Sequence, residues 1–229
     1  MRNKLTPEQL EALRHLDTCT VANAIESFER RLHNEGFCDA SIRCVFPDLP
    51  PMVGYAVPVK IRCSTPPPNA QSYLDRTDWW NYILEIPAPR VVVVQDADPA
   101  RGLGSLLGQV HASILQALDC VGAVTDGSVR DLPDVAAMGF HLFAGNVSVS
   151  HAYAHIVSIG EPVEIGGLMV KPGDLLHGDR HGVLSIPTEI APDLPAAAAK
   201  IIAKERRLLA LCRSRDFSVE KLRAAVRER

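Results

Sequence analysis

Four consecutive valines, Val91 to Val94, restrict this chain more than any other feature. Successive side chains of a strand point to opposite faces, so an unbroken β-branched run reads as a strand buried on both. Arg90-Val-Val-Val-Val-Gln95 is therefore expected to be a buried strand of an α/β sheet, ended by Asp96-Ala-Asp-Pro99. A second apolar run, Gly122-Ala-Val-Thr125, has the same character. It hands over through Asp126-Gly127, read as a turn pair, to Arg130-Asp131. A helical pattern follows at Leu132, Val135, Ala136 and Met138, with Pro133 acceptable in its first turn. An arginine and an aspartate thus stand where a strand gives way to a helix, the rim at which open α/β folds bind ligands. They offer one planar cation for a carboxylate and one hard oxygen ligand for a metal. The plainer reading of the same dipeptide is a surface ion pair with a helix cap.

The flanking chain supplies the rest of an α/β domain. Thr6-Pro7-Glu8-Gln9 carries a capping hydroxyl, Pro at the first helical position and Gln three residues on. Thr18 or Thr20 is expected to cap a second helix running through Ser27 to Arg31. Residues 32–52 show no clean periodicity. Residues 53–63 alternate as a strand, and 73–84 read as a helix whose Trp79 and Trp80 serve packing. A helix over 106–118 begins near Gly108, and 140–144 read as a strand. After residue 160 come short strands around Gly166-Gly167, Pro172-Gly173-Asp174 and residues 178–182. These argue against a plain doubly wound sheet. Ile190 to Cys212 is Ala- and Leu-rich and helical, and Val219 to Arg227 is a short basic amphipathic helix. The expectation is a single domain over 1–229, with its core at about 15–190 and helical extensions at both ends.

Several functions are excluded or disfavoured. The net charge is −3 and aromatic residues are 5%, with neither the basic excess nor the stacking platforms of a nucleic-acid binder. The six cysteines include no Cys-x-x-Cys pair and read as reduced thiols. The N-terminus carries no apolar leader and no run is long enough to span a bilayer, so a cytoplasmic protein without membrane partners is expected. Gly102-x-Gly104 with Gly108 has the wrong spacing for nucleotide phosphates. There is no Gly-x-Ser-x-Gly elbow. His151 and His155 could share a metal on a helix, but their surroundings look strand-like. His177 and His181 read as turn or substrate-edge residues, and Asp174 and Asp179 as structural turn residues.

Gly108-Gln-Val-His111 taken together with Asp126-Gly-x-Val-Arg-Asp131 resembles the family named for regulator of ribonuclease activity A, which includes the 4-hydroxy-4-methyl-2-oxoglutarate aldolases. Pro172-Gly-Asp174, Gly178-Asp-x-x-Gly-Val183 and Ile186-Pro187 follow in the family's order, so the resemblance covers roughly residues 15–210. It implies a swivelling β/β/α fold, a homotrimer or a hexamer built as a dimer of trimers, and sites near subunit boundaries. It implies that Arg130 grips a small 2-oxo acid and that Asp131 binds a divalent cation, Mg²⁺ or Mn²⁺. Backbone amides of Gly108, Gln109, Val110 and His111 would hold the substrate carboxylate. The resemblance also gives Asp134 as the acidic residue that aldolase members show three places after Asp131, and regulatory members tend to lack it. Glu205, by position, is a candidate for an acid supplied from a neighbouring subunit's C-terminal helix. Gln109 departs from the pattern, since active members commonly carry an acid there; Gln positions a water but cannot take a proton. The implied activity is metal-dependent cleavage of a 4-hydroxy-2-oxo acid to pyruvate, with oxaloacetate decarboxylation as a second activity. The competing expectation is a non-catalytic ring that docks on a ribonuclease and inhibits it.

Overall fold

The structure, a computed structural model, describes residues 4–68, 73 and 75–227. Residues 1–3, Leu74 (inside the helix predicted over 73–84) and residues 228–229 of the predicted C-terminal extension lie outside the described residues.

The valine run is the middle of the molecule. Strand β3 (Arg90–Asp96) pairs in parallel with β2 (Met52–Arg62) on one side and β4 (Cys120–Val129) on the other. Val92 and Val94 face a core that includes Trp79 of α3 (Thr77–Glu85) and Leu115 of α4 (Gln109–Ala117). Val91 and Val93 face the other way, onto Val163, Ile165, Leu168 and Val170. These last four belong to β7 (Val163–Ile165) and β8 (Leu168–Val170), the hairpin expected at the Gly166-Gly167 turn. Both faces are therefore covered, one by helices and the other by a hairpin.

The remaining strands make the sheet mixed. Parallel β5 (His141–Val147) follows β4, and β1 (Arg43–Cys44) lies antiparallel on β5. Beyond β2 come β9 (Leu175–Asp179) and β10 (Gly182–Ile186), all antiparallel. The far half of β2 also takes β6 (His155–Ile159). The α/β expectation, with a sheet that is not doubly wound and helices at both ends, is what the structure shows.

At the N-terminus, α1 (Pro7–Arg14) has the predicted capping box, with Thr6 and Gln9 each accepting the other's backbone N–H. Helix α2 (Thr18–Glu26) is capped by Asp17, one residue ahead of the expected threonine, with Oδ1 2.8 Å from the Thr20 amide nitrogen. It stops short of Arg31, and Glu29 turns left-handed with φ 51°. At the other end, α6 (Leu194–Cys212) packs Leu194 and Ala198 into a core shared with α1 and α2. Helix α7 (Val219–Arg227) buries none of its residues. No helix among the described residues is long and apolar enough to cross a membrane.

Two turn readings need correction. Asp126-Gly127 is not a turn, because β4 runs on through it to Val129. Asp126 Oδ1 accepts the Asp96 amide at 2.7 Å, Gly127 N–H reaches Thr125 Oγ1, and the pairing with β5 slips between Thr125 and Ser128. The pair makes a bulge, which lengthens the strand's reach where a turn would have ended it. His177 is a core residue rather than a site-edge one. It is fully buried, with its ring nitrogens at Thr18 Oγ1 and the Leu13 carbonyl. Asp179 is structural as expected, accepting the amides of Thr18 and His181.

Candidate active site

The bulged extension of β4 brings the two halves of the site together. Leu107 bridges Val129 in parallel, and the Arg130 amide donates to the Leu107 carbonyl at 3.0 Å. Residues 107–108 and 129–131 therefore run side by side, and each continues into a helix: α4 from Gln109 and α5 (Leu132–Ala137) from Leu132.

Asp131 turns sharply at this point, with φ 56° and ψ 40°. That left-handed conformation is uncommon outside glycine but is tolerated by Asp and Asn. It swings the carboxylate away from its own helix, and Asp131 makes no cap to α5. Oδ2 instead accepts the amide of Gln109, the first residue of α4, at 3.0 Å. Gly108, which precedes it, has no side chain to cap with, so Asp131 supplies the anion at a helix start from outside. The expected ion pair with Arg130 is present at 3.6 Å, but the expected helix cap is on the wrong helix. A Cβ added to Gly108 would stand 2.5 Å from Asp131 Oδ2 and 3.0 Å from Arg130 Cγ, so only glycine allows this approach.

The groups left unsatisfied define what the corner can bind. Among the described residues, Arg130 Nε is buried without a hydrogen-bond partner, and its side chain is 28% exposed. Asp131 Oδ1 takes no hydrogen bond among the described residues. The Gln109 amide is spent on Asp131, and among the described residues the amides of Val110 and His111 at the N-terminus of α4 have no partner. One guanidinium, two free amides at a helix start and one carboxylate oxygen meet here. This set suits a small anion that also presents an oxygen to a metal. A hard divalent cation fits the donor set, since such ions keep several waters and need few protein ligands.

Side chains of the same loop divide sharply. Gln109 and Val110 are exposed, whereas His111 is buried. Burial, opposed by a hydrogen bond to the Tyr73 backbone, pushes His111 down to about 4, so its ring is neutral at pH 7. The Tyr73 ring stands edge-on to His111 at 4.8 Å and stacks on His151 at 4.7 Å. Nothing in the spacing of the sequence singles out Tyr73; its place depends on chain distant from Gly108. His151 and His155 do not share a helix: His155 begins β6, His151 lies ahead of that strand, and each Nδ1 meets a local carbonyl, of Ala152 and Tyr153. Asp134 is exposed in the first turn of α5, and Glu205 is exposed on α6, which packs on α1 and α2.

A second group escaped sequence reading because its members are far apart in the chain. The ligand atoms of Cys63, Asp96 and Asp98 lie within 4.8 Å of one another, close enough to hold a cation. All three are buried. Asp98 accepts the amides of Cys63 and Ser64 and the Ser64 hydroxyl, and Asp96 accepts the amides of Asp98 and Gly102. Burial pushes the Cys63 thiol up to about 12, which keeps it protonated. Burial likewise pushes Asp98 up, but its hydrogen bonds outweigh that and hold it below its ordinary value. The group closes the turn after β3. Nearby, burial raises Asp126 to about 6, although the Arg101 guanidinium stands 3.0 Å from its Oδ2.

The pattern described as RraA-like: Aldolase/RraA matches residues 18–185. A protein of Halalkalibacterium halodurans named "Putative 4-hydroxy-4-methyl-2-oxoglutarate aldolase" is 33% identical over 103 residues, 44% of this chain and 48% of that protein. The matched stretches span less than half the length of these curated relatives. Among solved structures, a Pseudomonas syringae protein superposes with a TM-score of 0.74 at 23% identity, covering 98% of this chain and 96% of that one. Streptomyces coelicolor RraAS2, described as an unusual member of the RNase ES inhibitor RraA protein family, superposes with a TM-score of 0.68 at 21% identity, covering 89% of this chain and 96% of that one. At these identities the structural likenesses speak for the fold.

Proposed function

The chain belongs to the RraA-like Aldolase/RraA family, and from that premise we propose that it is a divalent-metal-dependent lyase releasing pyruvate from 4-hydroxy-2-oxo acids. The observation that carries this reading is the under-bonded Arg130 beside the free oxygen of Asp131, at the open amides of α4. Asp131 would hold the cation, Mg²⁺ or Mn²⁺, which supplies Lewis-acid polarisation of the bound keto acid. The amides of Val110 and His111 would take the C1 carboxylate at the helix start. Arg130 would face the charge that develops on the keto oxygen when the C3–C4 bond breaks, where a preformed cation stabilises it most. Gln109 would position a water but cannot accept the proton that leaves the C4 hydroxyl, so that proton passes to water near Arg130. Loss of CO₂ from oxaloacetate gives the same pyruvate enolate, so decarboxylation accompanies cleavage. Assembly into a homotrimer or hexamer, with Glu205 reaching a neighbour's site and Asp134 flanking the cation, belongs to the same proposal. So does the treatment of 1–229 as a single domain.

Gln109 favours one other reading, a ring that binds and inhibits a ribonuclease without catalysis, because it lacks the acid that active members commonly carry. Pyruvate release from oxaloacetate, followed with Mg²⁺ and then with EDTA, separates the two. Metal-dependent turnover supports the lyase; no turnover with tight binding to a ribonuclease overturns it.

A further inference from the structure

The corner at Arg130 uses the start of α4 and the far end of β4. The opposite ends of the same two elements line a separate cavity of about 540 Å³. Pockets of roughly 300–1,000 Å³ suit small organic ligands. The lining comes from Gln116 in the last turn of α4, residues 119–121 at the start of β4, residues 50–53 at the start of β2, and Arg14 of α1. His141, the first residue of β5, lines it as well. This histidine is 4% exposed, and its ring stacks on Phe143 at 5.4 Å. Its Nε2 lies 2.7 Å from the Pro50 carbonyl oxygen. A carbonyl oxygen only accepts, so Nε2 carries the proton and donates it. Burial holds the ring below its ordinary value, against the opposing effect of that bond, so it is neutral near pH 7. Nδ1 is then a bare acceptor, and among the described residues it has no partner. A buried polar atom in that state is destabilising until a donor reaches it.

The neighbours decide what kind of donor that is. Arg14 Nε lies 3.4 Å from the Pro51 carbonyl and Nη1 lies 3.3 Å from Glu11. Both contacts are longer than a good N–H···O bond, so the guanidinium can turn to a carboxylate inside the cavity. Asp119 is the one carboxylate of the lining, and it is already set against the Arg90 guanidinium at 3.6 Å. A ligand ammonium against the neutral imidazole would be a desolvated charge with no counter-ion, whereas a hydroxyl carries no charge to strand. Pro50, Pro51, Met52, Pro89 and Val121 offer apolar surface to the rest of the molecule. We propose that this cavity binds a 2-hydroxy carboxylate with an apolar arm, the hydroxyl donating to His141 Nδ1 and the carboxylate pairing with Arg14. A 2-oxo acid has no such donor, so the cavity is not a second version of the Arg130 site.

Isothermal titration calorimetry on the full chain tests this, with EDTA present so that no metal draws the probes to Asp131. The probes are 3-phenyllactate, 3-phenylpropionate without the hydroxyl, 3-phenylpropane-1,2-diol without the carboxylate, and phenylalanine with an ammonium in place of the hydroxyl. 3-Phenyllactate is expected to bind at least about tenfold tighter than each of the others. Arg14→Gln should abolish its advantage over the diol and keep its advantage over 3-phenylpropionate. His141→Phe should do the reverse; if that variant does not fold, Arg14→Gln, at a half-exposed position, still decides. Arg130→Ala should bind 3-phenyllactate as wild type does. No binding of 3-phenyllactate, equal or tighter binding of any analogue, or an affinity unmoved by Arg14→Gln overturns the proposal. Binding that disappears in Arg130→Ala belongs to the other corner and overturns it as well.

Discussion

Asp131 Oδ2 lies 3.0 Å from the amide nitrogen of Gln109, so the carboxylate that begins one helix is bonded to the start of another. This single contact joins the Gly108–His111 loop to Arg130-Asp131 and orders the corner around them.

Arg130 presents an under-bonded guanidinium, and a lysine cannot reproduce its planar fork. Arg130→Ala is expected to lower kcat for pyruvate release by about 10²–10³-fold or more, as removal of one transition-state donor does. Arg130→Lys should recover only a small part. Unchanged thermal unfolding of both variants would confirm that the loss is chemical. Full activity in Arg130→Ala would end the proposal.

Gly108→Ala places a methyl group 2.5 Å from Asp131 Oδ2, so either the carboxylate or the start of α4 must move. The expected result is a loss of Mn²⁺ affinity, read by electron paramagnetic resonance, together with a fall in activity. Asp131→Asn keeps an acceptor for the Gln109 amide but removes the charge. It should leave the unfolding temperature nearly unchanged while Mn²⁺ binding is lost.

Gln109 is exposed, and its side chain makes no hydrogen bond among the described residues. Gln109→Glu therefore adds a base without disturbing the backbone. An increase in kcat of about 10²-fold is expected, at the low end of general-base effects. A new acid limb in the pH profile, near the ordinary Glu value of about 4.3, should come with it. A stopped-rate pH series on both proteins checks this.

Two buried groups give stability opposite dependences on pH. Asp126 is raised to about 6 by burial, so its contribution is present below its unfolded value and is lost as pH rises through about 6. His111 is lowered to about 4, so its contribution is present above about 6.5 and is lost as pH falls toward 4. Asp126→Asn should therefore gain on wild type between pH 4.5 and 7.5, by about 2–4 °C for each kcal/mol recovered. Calorimetry at the two pH values reads the difference. A variant that loses ground over that range would show that the Arg101 ion pair outweighs the burial penalty.

Local pattern made much of this molecule legible. Val91–Val94 announced the central strand, Thr6 and Gln9 the first cap, and Gly166-Gly167 the hairpin, because each depends on neighbours in sequence. Arg130, Asp131 and Gly108 were legible as a motif. Their joining was not, since it depends on a bulge at Asp126-Gly127 that local turn preference reads as a reversal. Asp17 caps α2 in place of Thr18 or Thr20, because several adjacent side chains could each do this and the fold selected one. Tyr73 and the Cys63–Asp96–Asp98 group escaped for the same reason: they are assembled by chain crossings with no trace in spacing.

The left-handed backbone at Asp131 narrows what that position can become. Glycine and asparagine accept the same bend, and neither carries a charge. Only asparagine also keeps an acceptor for the Gln109 amide, so on the lyase reading a drift to asparagine would hold the corner together while removing the charge the cation needs.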